Sequence, residues 1–546
     1  MPDSIGISNL WKETVVRQAD EGVGDAFPWT GCRPSHTVDN ITTYLKRGLF
    51  AVALAMLCTG CTSWQDYLHN GFKVGPNYRP PCTATAQHWI DSGNPHVNST
   101  ATDAAAWWQS LNDPVLNALV ESAYRQNLTL RVAGWRIMEA RAQRNIAAGN
   151  LFPQTQQATG SYTRTNVSPN TPAIGPPFNY DQWQVGTNLA WELDFWGRFR
   201  RAIEAADATV DASVENYDDV LVLLVSEVAQ RYVELRTAEQ RLEYARKNVE
   251  TQQESLSLAN MKFTNGATTR LDVTQGESTL GQTQAIIPPL ESERRQAMNQ
   301  ICILLGTPPQ DIVQALNGRQ PIPATPPEVA LGIPADLLRR RPDVRRAERE
   351  VAAQSALIGF ATSELYPHFS ITGSIFLDAA NFKDLFNSNS VGGNVGPSFN
   401  WNILNYGRLV NGIRVQDARF EELAATYQNI VLQANAEVEN AVVRFLNAQQ
   451  QVRFLAASTR AAEQSVGLVR SQYDAGKTDF NRVLVVEQAL AQQQDQLAVA
   501  GGAVVQNLVD IYKALGGGWQ IRLNDTANQP ATAITQPAEL IPTPTR

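Results

Sequence analysis

The sequence predicts an α+β membrane protein, an internally duplicated chain of long antiparallel coiled-coil helical hairpins combined with four β-strands. Three observations carry this prediction. The chain contains an ungapped internal repeat, each copy includes strand segments with strict alternation, and each copy continues into helical segments far longer than those of a globular domain. A repeat of this kind is typical of a pseudo-symmetric assembly part rather than of an active-site scaffold.

The repeat is visible at a single offset. Residues 185–228 and 395–438 are identical at eleven of 44 positions when they are shifted by 210 residues. Upstream, the segments 151–153 and 365–367 match at an offset of 214, so the first copy carries four extra residues ahead of residue 185. We expect this insertion at a hairpin tip, because insertions are tolerated in exposed loops.

The strand segments alternate between apolar and polar side chains. In residues 182–195, Trp, Val, Thr, Leu and Phe occupy the odd positions, whereas Gln, Gly, Asn, Ala, Glu and Asp occupy the even ones. A strand of about 13 residues with an apolar outer face and aromatic ends is typical of a membrane barrel, although a half-buried soluble sheet also alternates. We expect Glu192 and Asp194 to face the lumen, and a role no more specific than keeping the lumen hydrated is the alternative to a functional one.

The strands of each copy lead into a helical hairpin. From Arg198 to about residue 263 there is no proline, and about 65 residues at 1.5 Å each give a helix on the order of 100 Å long. Asn265 and Gly266 predict the left-handed residue that ends this helix. The returning helix, 269–305, contains Pro288 and Pro289, which predict a break or a kink. The second copy gives helices over 408–473 and 479–515 without an internal proline.

The remaining segments set the domain boundaries. A helical stretch from residue 113 to residue 149 precedes the first strands, and 334–364 is its counterpart. We expect the polar residues at the C-terminus to be disordered. The predicted organisation is an N-terminal extension and signal (1–60), a tether (61–112), a first repeat (113–315), a linker (316–334), a second repeat (335–516) and a tail (517–546).

A secretory signal precedes Cys61. Lys46 and Arg47 are followed by an apolar run of about ten residues, which is too short to span a membrane, and then by Cys58-Thr-Gly-Cys61. This ending resembles a bacterial lipoprotein box, which predicts lipidation at Cys61. A plain signal peptide with an unmodified Cys61 is the alternative, because Cys58 stands where that motif usually has Leu. The residues ahead of Lys46 suggest a start codon assigned too far upstream.

Composition argues against several classes of function. The net charge of −8 gives no basic footprint for nucleic acid. The five histidines show no metal-ligand spacing, and we find neither a glycine-rich phosphate loop nor a nucleophile–base pair in the sequence. We therefore expect no catalysis, no cofactor and no nucleic-acid partner.

Four strands are too few for a membrane barrel with a useful lumen, because about eight strands form the smallest barrels. Three chains would supply twelve strands. The same association would join three pairs of hairpins into a tube of near-sixfold symmetry. An association of three chains would therefore give a 12-stranded β-barrel and an α-helical barrel.

Motifs from both copies resemble those of the TolC-like outer membrane efflux proteins, in particular their lipoprotein branch associated with resistance-nodulation-division pumps. The resemblance covers about residues 61–516 and rests on the segments 72–78, 107–108, 194–198, 287–291, 340–343 and 365–367. It implies a homotrimeric exit duct, lipid-anchored and inserted in the outer membrane, that extends into the periplasm. The partners that it implies are outer membrane lipid, a periplasmic adaptor protein and an inner membrane resistance-nodulation-division transporter.

The resemblance also implies a gate at the periplasmic end, just after the turn of the second hairpin. The positions that are usually acidic in the family fall here on Arg482 and Val485, and their first-copy equivalents are Asp272 and Gln275. Three copies of Arg482 would form a cationic ring, Val485 would form an apolar constriction, and Asp272 could pair with Arg482 across neighbouring hairpins. The alternative is that Arg482 is simply a solvated residue on the outside of its helix.

Two other functions remain open at this stage. The same duct could serve a type I system for protein secretion, and the neighbouring genes would discriminate between secretion and efflux of small molecules. A soluble or filamentous coiled-coil protein is the rival from another class. The signal segment and the alternating strands argue against that reading.

Overall fold

The computed structural model describes residues 64–98, 104–168, 179–314 and 316–523. Its helices are α1 (Trp64–His69), α2 (Pro114–Gln126), α3 (Leu128–Gly149), α4 (Arg198–Thr264), α5 (Arg270–Leu304), α6 (Leu337–Arg340), α7 (Pro342–Ser363), α8 (Arg408–Asp474) and α9 (Phe480–Ala514). Its strands are β1 (Val97–Asn98), β2 (Thr155–Asn166), β3 (Asn179–Leu193), β4 (Val329–Ala330), β5 (His368–Ala379) and β6 (Val391–Asn400). Cys61, the predicted signal and the loop 169–178, where the four-residue insertion was expected, lie outside these ranges.

Both predicted helical hairpins are present, and they have equal dimensions. Helices α4 and α8 contain 67 residues each, and α5 and α9 contain 35 residues each. Each hairpin turn has a left-handed glycine, Gly266 at φ +71° and Gly476 at φ +70°, because only glycine adopts this backbone conformation without steric cost. The two hairpins pack side by side, with α9 against α4.

Of the break or kink predicted at Pro288 and Pro289, the break is wrong, because α5 continues through both prolines. The kink stays a prediction. The two prolines remove the donors that would bond the carbonyls of residues 284 and 285. Both of those residues are exposed, so water can bind the carbonyls. The opposite face, which includes Leu290, is buried and holds the helix against α4.

The helical stretch predicted over 113–149 is divided at Asn127, and its counterpart is divided at Arg341, at the same place in the repeat. Asn127 Nδ2 donates to the carbonyl of Leu304 at 2.9 Å, and Arg341 Nη1 donates to the carbonyl of Ala514 at 3.0 Å. These carbonyls lie at the C-terminal ends of α5 and α9, where the helix leaves them without a donor. Asn127 and Arg341 therefore make the same bond in the two copies although they are different residue types. A comparison of residue identities between the copies does not reveal this bond.

The predicted tether and linker are irregular in backbone but pack into the main core. Trp89, Trp107 and Trp108 are buried in it with the middle parts of α4 and α8 and the C-terminal part of α9. The indole nitrogen of Trp89 donates to Gly332 O at 2.9 Å, and β1 pairs in parallel with β4. The segment before the first repeat thereby contacts the segment that joins the two repeats.

The expected disorder of the tail is wrong for residues 517–523. Arg522 donates to both carboxylate oxygens of Asp218 at 2.7 Å, and the side chain of Asp218 on α4 is 1% exposed. Trp519 lies against the guanidinium of Arg345, 4.4 Å from the ring centre. A buried carboxylate needs a cationic partner, and this segment supplies one. Residues 524–546 lie outside the described part.

Replacing Arg522 with Met is expected to lower the free energy of unfolding by about 2 kcal/mol, because Asp218 loses one of its cationic partners in a buried place. The measurement is thermal unfolding of the purified protein in detergent. A chain that ends after residue 523 is the control and should unfold like the full chain. A chain that ends after residue 516 should resemble the Arg522→Met variant, and equal stability of all of these forms would contradict the expectation.

Candidate functional site

The four long strands form an antiparallel sheet in the order β2-β3-β5-β6. The register places one set of side chains on each face, because successive residues of a strand point to opposite sides. One face carries Thr155, Gln157, Thr159, Ser161, Gln184, Asn188, Ser370, Thr372, Ser374 and Asn394. The other carries Trp183, Val185, Leu189, Trp191, Leu193, Phe369, Ile371, Ile375, Leu377, Val395 and Phe399. Ile375 is 68% and Val395 is 79% exposed, so the apolar face is open.

Aromatic side chains cluster at both ends of this sheet. At one end the ring of Trp183 lies 4.5 Å from Tyr162. At the other end the ring of Phe195 lies 4.7 Å from Trp196 and 5.6 Å from Phe369. Twelve residues at about 3.3 Å each separate the two clusters by about 40 Å along the strand, which is roughly 28 Å along the axis of a barrel whose strands tilt by about 45°. This is the thickness of a membrane hydrocarbon layer. Among the described helices, none is both long enough and apolar enough to span that layer.

Asp194 does not continue the alternation, because β3 ends at Leu193. Its carboxylate accepts the backbone N–H groups of Phe199 and Arg200 at the start of α4, and it pairs with the Arg200 guanidinium at 2.8 Å. The side chain is only 6% exposed. Asp194 therefore caps α4 and joins the sheet to the helices, a use that differs from the lumenal position expected from the sequence.

Glu192 is the last polar residue on the polar face of β3. Its carboxylate pairs with Arg198 at 3.0 Å and contacts His368 Nδ1 at 2.9 Å. Arg198 also pairs with Glu364 at 3.0 Å. This cluster joins the base of the sheet to the first residue of α4 and to the end of α7. The lumenal position of Glu192 stays a prediction.

The segment 72–78, which carries part of the family resemblance, wraps around a buried arginine. Arg201 on α4 is fully buried and donates to Val74 O at 3.1 Å and Gly75 O at 3.0 Å. It also donates to Glu204 at 2.9 Å. A methyl group on Gly359 of α7 would lie 2.6 Å from Arg201 Nε, so this position has no room for a side chain. We did not foresee this junction, because its residues are far apart in the sequence.

The tip of the two hairpins has a small core of its own, formed by Tyr473, Phe480, Val483 and neighbouring residues. Lys262, at the end of α4, donates to the carbonyls of Tyr473 and Asp474 at the end of α8 and lies over the Tyr473 ring at 4.3 Å. A cation at helix C-termini is favourable because the last carbonyls are unpaired. The first hairpin is thus tied to the second at its tip.

The predicted gate residues all lie at this tip, but the structure does not bring all of them together. Asp272 accepts a hydrogen bond from Thr268 Oγ1, and Gln275 is half-buried. Arg482 is exposed, and Val485, one turn further along α9, is 54% exposed. Within the described chain, no ion pair joins Asp272 to Arg482. The gate itself stays a prediction.

A buried polar layer lies between α4 and α9 above the tip. Ser255 Oγ donates to Glu487 at 2.6 Å, and Asn248 donates to Gln494 at 3.0 Å. The second carboxylate oxygen of Glu487 and both amide atoms of Gln252 have no hydrogen-bond partner among the described residues. Burial raises the pKa of Glu487. The sequence contains no pattern that indicates the burial of Glu487.

Glu487→Gln is expected to stabilise the protein at neutral pH by roughly 1 kcal/mol, because an uncharged amide replaces a buried acid. The pKa of Glu487 is higher in the folded state than in the unfolded chain. The folded state therefore loses stability as the pH rises above the pKa of an unfolded glutamate, about 4.3. The gain should therefore shrink below about pH 4. Unfolding temperatures in detergent at several pH values measure it. Glu250→Gln on the exposed side of α4 is the control, and a gain independent of pH would contradict the explanation.

Comparison with known proteins assigns this architecture. The model of the outer membrane efflux protein family matches residues 119–307 and 333–517. The chain belongs to this family. It is 31% identical over 461 residues to nodulation protein T of Rhizobium leguminosarum bv. trifolii, covering 83% of this chain and 95% of that protein. It is 29% identical to the pyoverdine export outer membrane protein OpmQ of Pseudomonas aeruginosa, covering 87% and 97%.

The solved structure of the outer-membrane channel OprN superposes with a TM-score of 0.77 at 32% sequence identity, covering 82% of this chain and 99% of that one. The protein is therefore an outer membrane channel of an efflux system, as the sequence predicted. The two family segments coincide with the two repeats.

Proposed function

We propose that three copies of the chain form a continuous duct, the exit of a tripartite pump that exports small molecules. The observation that carries this proposal is the incomplete packing of the second copy. Within the chain, α7 and α9 of the second copy pack against α4 of the first. In the repeat, α3 and α5 of the first copy correspond to α7 and α9, and α8 of the second copy corresponds to α4. We therefore expect α3 and α5 to pack in the same way against α8. In the described chain they do not do so extensively, and a neighbouring copy would supply them.

The exposed apolar residues support this arrangement. One face of α3 leaves Leu128, Val132, Trp135, Met138 and Ile146 at least half exposed. Helix α8 exposes a second set, which comprises Val410, Val415, Leu432, Val443, Phe454 and Leu468. Apolar faces of this extent normally mark an interface. The two sets lie on different helices, so a contact between them is head-to-tail, and it closes into a ring of three when successive copies are rotated by about 120°.

The four-stranded sheet also supports an assembly of three copies. Its edges are β2 and β6, with 12 and 10 residues and no strand partner on their outer sides within the described chain. Long open edges favour pairing with another chain. Pairing β6 of one copy with β2 of the next gives twelve strands from three copies. The polar face then lines the lumen and the apolar face contacts lipid.

The proposed duct is passive, so export through it requires partners that supply the energy. We propose a periplasmic adaptor and an inner membrane resistance-nodulation-division transporter as partners, lipidation of Cys61 as an anchor, and no catalytic activity. Pyoverdine export is part of the name of one relative, and a small exported molecule of this kind is the class of cargo that we infer. Glu192 would then lie at the inner end of the lumen.

The proposal can be tested on the full chain expressed with its own signal. We expect the protein in the outer membrane fraction, a trimer by native mass spectrometry in detergent, and increased accumulation of small toxic compounds in cells that lack the gene. A monomer or a soluble protein would contradict the duct. Normal accumulation together with loss of a secreted protein would favour the type I system instead. Labelling with radioactive palmitate, with Cys61→Ser as the control, tests the anchor.

A further inference from the structure

We propose that Phe376 and Asp378 form a binding site for organic cations on the lumenal face of the sheet, towards the outer end of the duct. The site would hold a protonated or quaternary amine that carries an apolar group. The proposal rests on the trimeric duct proposed above, since the duct turns the polar face of the sheet inward. It adds a point of contact with cargo to a lumen that otherwise only conducts.

Phe376 is an exception on the polar face. Of the described strand residues on that face, only Tyr180 at the far rim is also aromatic. The register places Phe376 between Gly186 on β3 and Gly392 on β6. A methyl group on Gly392 would lie 2.6 Å from Cε2 of the phenyl ring, so the ring lies where a side chain of residue 392 would project. The ring thus covers Gly392, and the side chain of Phe376 is half-buried.

Asp378 follows Phe376 on the same face of the sheet. It is two residues further along β5, so the two Cα atoms are about 7 Å apart. One of its oxygens accepts a hydrogen bond from Gln182 Nε2 at 2.8 Å. In the part of the chain that the structure describes, Asp378 has no Lys or Arg partner, whereas Glu192 on the same face is paired with Arg198 and His368. Asp378 therefore keeps its negative charge available.

The combination selects for one class of ligand. The face of an aromatic ring attracts a cation placed over it, and a nearby carboxylate adds a direct charge interaction. An anion is repelled by both groups. Three copies of the pair at one height would form a ring of such sites. Because each site is open to water, binding should be weak and reversible, as conduction through a duct requires.

The test is block of ion current through trimers in a planar bilayer at about 0.1 M KCl, where surface charges are only partly screened. Benzyltrimethylammonium is added on the barrel side, and benzenesulfonate, an aromatic anion, is the matched probe. The cation should reduce or interrupt the current, whereas the anion should not. Phe376→Leu, which still covers Gly392, and Asp378→Asn should each weaken the block by about fivefold. Phe376→Tyr should retain it.

Ser374→Ala changes the same face without touching the ring or the carboxylate, so it should leave the block unchanged. Equal block in all variants, or equal block by the cation and the anion, would overturn the site while the duct stands. If neither the wild-type protein nor the Arg482→Ala variant, in which the predicted gate is opened, forms a conducting pore, the duct itself is refuted, and with it the site. Weaker block in the Asp378 variant alone would reduce the proposal to a charge effect and overturn the role of the ring.

Discussion

Replacing Gly75 with Ala should lower the free energy of unfolding by roughly 4 kcal/mol. A methyl group at this position would lie 2.4 Å from Cα of Gly359, a backbone atom that cannot move aside without shifting α7. Gly75 also has φ +84°, which costs an alanine about 1 kcal/mol or more. The carbonyl of Gly75 binds the buried Arg201, so a shift would also weaken that bond. Thermal unfolding of the purified trimer measures the loss.

Gly71→Ala is the matched control for this substitution. Gly71 has φ +66°, but no atom lies within 4 Å of an added methyl group. This variant therefore carries only the backbone cost, about 1 kcal/mol. The difference between the two variants isolates the contact with Gly359. Equal losses would show that the close approach of the two glycines does not matter for stability.

The sequence predicted the ends of all four long hairpin helices to within about two residues, because each end has a local signal. The glycines of both turns adopt the left-handed conformation that the pattern requires. Strand alternation likewise predicted the faces of β3 and β5. These elements have a sequence periodicity that reports directly on burial, and periodicity is visible without knowledge of contacts.

At Asp194 the strand predicted from the alternation extends too far. Alternation continues through residue 195, yet the strand stops at Leu193 and Asp194 caps α4. The N-cap of α4 is Gly197, and Asp194 lies three residues before it, so the usual preference for an acid at the N-cap does not reveal this role. Other errors had no local signal. The tie between Arg522 and Asp218 and the contact of Gly75 with Gly359 join residues hundreds of positions apart, so only the folded chain reveals them.

Arg482→Ala should raise the single-channel conductance of the trimer severalfold and make cells permeable to large antibiotics such as vancomycin. The structure places Arg482 on the exposed side of the first turn of α9, on the same side as Val485. If these residues face the axis, three guanidinium groups lie at the narrowest part of the duct. Removing them widens that part and removes its positive charge. Unchanged conductance together with unchanged vancomycin sensitivity would rule out a gate at this position.

Charge and size can be separated with a second variant. Arg482→Asp keeps a charged side chain but reverses its sign, so the reversal potential in a KCl gradient should move towards cation selectivity. Arg460→Ala is the control, because this exposed residue lies about 20 Å above the tip along α8, beyond the screening length of about 10 Å. If Asp272 of one copy pairs with Arg482 of the next, Asp272→Asn and Arg482→Ala should have non-additive effects on conductance. Additive effects would mean that Asp272 and Arg482 act independently. In that case Arg482 and Val485 alone would account for the change from near-sixfold to threefold symmetry at the tip.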